Sequence, residues 1–153
     1  MQRTQVESAV LHVTDVHWGK KTESFDVKVC SKRLNAVGEK LGRVRELLAS
    51  YDFDKLVILI TGDINDGSEI YANQATEQAE SDVEEQANCA AATLADLVRR
   101  QKRIWGNVEI EAVPGNHGRS GRGGHIAANW DVTCYRYMSF RLAADKIRAQ
   151  AVV

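Results

Sequence analysis

Leu56-Val57-Ile58-Leu59-Ile60-Thr61-Gly62-Asp63-Ile64-Asn65-Asp66-Gly67 is an unbroken apolar run that ends abruptly in two carboxylates framed by glycines. A run apolar at every position predicts a strand buried on both faces, as in a parallel sheet covered by other layers. Gly62 and Gly67 permit sharp turns or positive φ where the run stops, so Asp63 and Asp66 are expected on a short, constrained loop. Ligands of open α/β sheets bind beyond the carboxyl ends of the strands. The stretch therefore carries two acids to the rim where a ligand would lie.

Two other strands end the same way. Ala9 to Val16 is β-rich and runs into Asp15-Val16-His17-Trp18-Gly19. Val108-Glu109-Ile110-Glu111-Ala112-Val113 alternates apolar and acidic, as an edge or half-exposed strand does, and runs into Pro114-Gly115-Asn116-His117-Gly118. Asp15 and His17 are two residues apart, so a backbone that stays extended points both side chains the same way. A carboxylate and an imidazole side by side suit a metal, although on this spacing alone a surface Asp beside a surface His is the simpler reading. His12, inside the strand, reads as a structural histidine.

Helices are expected between the strands. Leu34, Val37, Leu41, Val44, Leu47 and Leu48 recur at helical spacing, predicting a helix from about Lys32 to Ser50 after a polar loop over residues 20–30. Val83, Ala87, Ala90, Leu94, Leu97 and Val98 mark a second helix ending near Arg103, where the cations from Arg99 onward suit its negative end. Tyr137, Phe140, Ala144 and Ile147 suggest a third from about Trp130. The order βαβαβα implies right-handed crossovers and a parallel sheet. Ser68 to Ser81 reads as a polar connection anchored by Tyr71 and Gln74, and Arg119 to His125 as a glycine-rich basic loop, either solvated or suited to phosphate.

With 153 residues, 44% hydrophobic and 27% charged, the chain is expected to form one domain or one piece of a larger one. A formal net charge of −1 gives no overall reason to expect nucleic acid or an anionic membrane as partner. Cys30, Cys89 and Cys134 lie far apart without a C-x-x-C pair, reading as free thiols in a reducing compartment. No apolar run approaches a membrane span and the N-terminus has no apolar signal region, so a soluble cytoplasmic protein is expected.

Three strand ends bearing metal-compatible residues, in an order that brings those ends together, form a specific pattern. Asp15-Val16-His17, Gly62-Asp63-Ile64-Asn65-Asp66 and Gly115-Asn116-His117 match in order the D-x-H, G-D-x-x-D and G-N-H blocks of the calcineurin-like metallophosphoesterases, and from about residue 10 to 125 the chain resembles that family. The segment from Tyr71 and Gln74 to Arg119 is also similar to phage-type members, some compared with DNA-repair nucleases. The resemblance implies the N-terminal βαβαβα portion of a four-layer αββα sandwich. It further implies two divalent ions (Mn, Fe or Zn), with Asp15 and His17 on the first, Asp63 bridging, and Asn116 on the second. His117 would serve the leaving group and Asp66 would orient it, while Asn116, Arg119 and Arg122 would face the substrate.

The activity so implied is metal-dependent hydrolysis of a phosphodiester or phosphomonoester, in nucleic acid or a nucleotide. Two departures stand against the family pattern. Gly118 and then Arg119 follow the G-N-H where many members carry an acid. No G-H-x-H block follows either, so a single domain over 1–153, incomplete at its C-terminus, is expected, with the sheet left apolar on one uncovered face. A non-catalytic metal- or phosphate-binding module is the alternative.

Overall fold

The structure is a computed structural model describing residues 6–71, 74, 82–121, 123, 125, 128–145 and 147–151. Four strands, β1 (Glu7–Val13), β2 (Phe53–Ile60), β3 (Val108–Ala112) and β4 (Arg148–Ala151), form one parallel sheet in the order β1-β2-β3-β4. Helices α1 (Val27–Leu47), α2 (Val83–Trp105) and α3 (Trp130–Leu142) lie in the connections, and a 3₁₀ turn (Ala143–Asp145) follows α3. A parallel sheet whose strands follow sequence order, crossed with one hand, collects its helices on one face.

Burial along the strands agrees. On β2, Leu56, Ile58 and Ile60 are essentially inaccessible, while the intervening Val57 and Leu59 are half-buried. Leu11, Ile58, Ile110 and Ala149 are register partners, and this row faces the helices. The next row, His12, Leu59, Glu111 and Gln150, lies on the other face. The strand read as buried on both faces is therefore covered on one. Its continuous apolar pattern hides an alternation, because Val57 and Leu59 share their face with polar neighbours, including a Lys55–Glu109 ion pair of 2.8 Å. The expected apolar open face is a mixed one: Val10 is 63% exposed beside Ser8, His12, Lys55, Glu109 and Glu111. β3, read as an edge or half-exposed strand, lies between β2 and β4.

Asp26 caps α1 by accepting from Val29 N, starting the helix inside the segment read as a loop. Its buried line is Cys30, Leu34, Gly38 and Gly42, while Val37, Val44 and Leu47 of the expected apolar face are exposed. The small residues let α1 approach α2 closely, where Gln101 Nε2 donates to Gly38 O at 3.0 Å. Asp82 caps α2, and Gly106 with φ of 77° ends it. The third helix stops earlier than its periodicity suggests: Phe140 is 78% exposed, and β4 replaces the expected continuation. β4 exists because its backbone pairs with β3 from Glu109↔Arg148 to Ala112↔Ala151. Among the described residues no helix is long and apolar enough to cross a membrane. All three cysteines are free, and burial pushes the Cys30 thiol up to about 11.

Candidate metal centre

The parallel strands send the loops after β1, β2 and β3 to the same end of the sheet. The first two loops zip together: Asp15 N donates to Gly62 O (3.2 Å), His17 N to Asp63 O (2.9 Å), Trp18 N to Ile64 O (2.7 Å) and Asp66 N to Trp18 O (3.0 Å). The second and third meet backbone to backbone. Gly62 has φ of 93°, and a Cβ there would overlap the backbone of Gly115; a Cβ on Gly115 would overlap Asp63. The contact requires glycine on both sides.

Asp15 (φ 52°), His17 (φ 48°) and Asp63 (φ 52°) are the only non-glycine residues with positive φ among the described residues. The extended backbone assumed for Asp15-Val16-His17 is thus absent, yet both side chains still reach the rim. Left-handed backbone on a residue with a Cβ costs on the order of 1–3 kcal/mol, and such strain collects at functional sites. Asp and His tolerate it better than most types.

His17, Asp66 and His117 come together. Their potential ligand atoms lie within 4.8 Å of one another, so the three can hold a metal ion. Asp66 Oδ1 stands 3.2 Å from His17 Nδ1 and 3.4 Å from His117 Nδ1, and the two rings meet edge to face with centroids 4.4 Å apart. Asp66 is 5% exposed. It raises the pKa of His17, chiefly through a hydrogen-bonding interaction with the ring and against the desolvation that opposes it. Despite that proximity, His17 Nδ1 is buried and makes no well-aligned hydrogen bond. His17 Nε2 lies 3.6 Å from Asp15 Oδ1, too long for a hydrogen bond. Asp15 is exposed, and its carboxyl is held below the usual range, first by the Thr14 hydroxyl (2.7 Å), which outweighs the opposing desolvation, and then by the His17 and His117 rings.

Asp63 stands outside the three-residue group, and its Oδ1 accepts the His117 amide at 2.8 Å. Asn116 Nδ2 donates to Tyr71 Oη at 3.0 Å. The Tyr71 ring lies 4.8 Å from that of His117. Gln74, 5% exposed, donates to Asp66 O, accepts from Ile70 N (2.8 Å) and Tyr71 N (3.0 Å), and lies 3.3 Å from His117 Nδ1. His117 Nδ1 also faces Asp66 O at 3.2 Å. The two Asp66 oxygens near Nδ1 favour a proton on that nitrogen. Arg119 is exposed, and Arg122 lies outside the described residues. His12 is exposed and pairs with Thr61 Oγ1 at 2.7 Å.

Asp131 is the residue the sequence reading missed. It is fully buried at the start of α3 and accepts from Asp63 N, Ile64 N, Asn65 N, Asn65 Nδ2 and Gly115 N at 2.9–3.1 Å. Burial pushes its carboxyl up, while the Gly115 and Asn65 donors oppose that.

No protein-family model matches this sequence, and no match is found among curated proteins.

Proposed function

We propose that the chain is a metal-dependent phosphoesterase acting on a phosphodiester or phosphomonoester, with nucleic acid or a nucleotide as substrate class. The observation that carries the reading is the meeting of Asp15, His17, Asp63, Asp66, Asn116 and His117 at one rim, three of them on left-handed backbone. The donor set fits divalent cations. The 3.6 Å between His17 Nε2 and Asp15 Oδ1 suits two donors sharing one ion, while Asp66, 3.2 Å from His17 Nδ1, would orient the ring. Mixed oxygen and nitrogen donors without thiolate favour Mn, Fe or Zn.

Asp15 and His17 would hold one ion and Asn116 the other, with Asp63 shared. Since Asp63 Oδ1 already accepts the His117 amide, the same contact that places this carboxylate also places the catalytic ring. When bound, two divalent ions neutralise phosphate charge and make a water more acidic. In its imidazolium form, with Nδ1–H facing Asp66, His117 would give the Nε2 proton to the leaving oxygen, and Asp66 would hold the ring for that transfer. Tyr71, half-exposed beside the ring, offers an aromatic face to a base or aryl group.

The test is hydrolysis of an aryl phosphodiester with added Mn. Turnover well above that of Mn alone, lost in Asp63→Asn, supports the proposal; equal turnover in enzyme, variant and Mn blank rejects it. A second reading, a non-catalytic metal-binding module, is favoured by the ligand count, because His12 is engaged on the open face by Thr61 and adds no imidazole to the rim.

A further inference from the structure

α3 begins against the site, and its first turn divides the work between two side chains. Asn129 caps the helix, accepting from Asp131 N at 2.8 Å, and its Nδ2 donates to Gly115 O at 2.8 Å. Asp131 is therefore not needed as the cap, and its oxygens point elsewhere. Oδ1 takes Ile64 N, Asn65 N and Asn65 Nδ2. Oδ2 takes Asp63 N and Gly115 N, both at 2.9 Å. One oxygen thus joins the loop after β2 to the loop after β3, at the residue bearing the Asp63 carboxylate and the residue preceding Asn116.

We infer that Asp131 is the positioning residue of the metal centre: it sets the separation of Asp63 from Asn116 and His117 by fastening their two loops to α3. The assignment rests on the metal-site reading above. A carboxylate is suited to the task because it accepts from five donors and has none of its own to oppose them. An amide of the same shape would turn a donor toward two or three N–H groups. Removing an outer partner that orients metal ligands typically costs about 10–100-fold in affinity.

Mn binding is to be measured by calorimetry on wild type, Asp131→Asn and Met138→Ala, well below each unfolding midpoint. Met138 is buried on the same helix, outside the site, and serves as a control for general destabilisation. The inference expects Asp131→Asn to bind Mn about 10–100-fold more weakly than wild type and Met138→Ala to keep wild-type affinity. Unchanged affinity in Asp131→Asn, or an equal loss in Met138→Ala, overturns it. Wild type that binds no Mn rejects the metal-site reading itself, a result distinct from either. Should Asp131→Asn not fold, Asn65→Ala removes one of the five donors: a severalfold loss is expected, and unchanged affinity overturns the inference.

Discussion

At the scale of single residues, His17 and Asp66 make the site responsive to pH. The pKa of His17 is raised by Asp66, so in the metal-free protein the pair contributes stability that is complete below the ordinary imidazole value of about 6.5 and is lost as pH rises through the raised value. A cation competes with the ring proton, so its binding strengthens over the same window. The gain in melting temperature on adding Mn should therefore grow from pH 6 to pH 8. A gain that is flat with pH would remove His17 from the ligand set. His117→Ala separates proton donation from coordination. If His117 serves the leaving group, the variant keeps its metal, loses about 10²–10⁴-fold in rate on an alkyl ester, and loses less on an aryl ester that departs without help. Loss of metal binding would instead make His117 a ligand, as its place in the three-residue group allows.

At the scale of elements, the strand faces are testable through β1 and β2. Ile58 points into the helix layer at 1% exposure, and Ile58→Ala is expected to cost about 2–5 kcal/mol. Val10, 63% exposed on the open face, should tolerate Thr within about 0.5 kcal/mol. Denaturant unfolding of the two variants checks the assignment, and similar costs would contradict it. Gly62→Ala should destabilise more than Val10→Thr, because the new Cβ meets the Gly115 backbone at a φ that side chains rarely adopt.

The elements also show what the sequence could disclose. β2 and α2 were legible because long apolar patterns leave little choice of element. The buried line of α1 was not, because two of its members are Gly38 and Gly42, which carry no apolar signal, while the louder Val37, Val44 and Leu47 face outward. β4 has only Arg148-Ala149-Gln150-Ala151 to announce it and depends on pairing with β3.

At the scale of the whole molecule, one parallel sheet with helices on one face gathers three loop ends that are remote in sequence. The candidate residues of that rim were readable, since acids and histidines after apolar strands have few structural uses. The geometry between them was not. Left-handed φ at Asp15, His17 and Asp63 leaves no mark beyond residue types that tolerate it, and Asp131 acts on amides up to 68 residues away. Its one local signal is Asn129-Trp130-Asp131 ahead of a helical pattern, which reads as a cap and no more.

The sequence-read ligands Asp15, His17, Asp63 and Asn116 and the spatial group His17, Asp66 and His117 make different claims about where cations sit. Anomalous diffraction from crystals soaked in Mn distinguishes them directly. The expected result is two peaks about 3.5–4 Å apart, one beside Asp15 and His17, one beside Asn116, with Asp63 between them. No peak at this rim would contradict the two-ion site, and a single peak enclosed by His17, Asp66 and His117 would contradict it and make His117 a ligand in place of a proton donor.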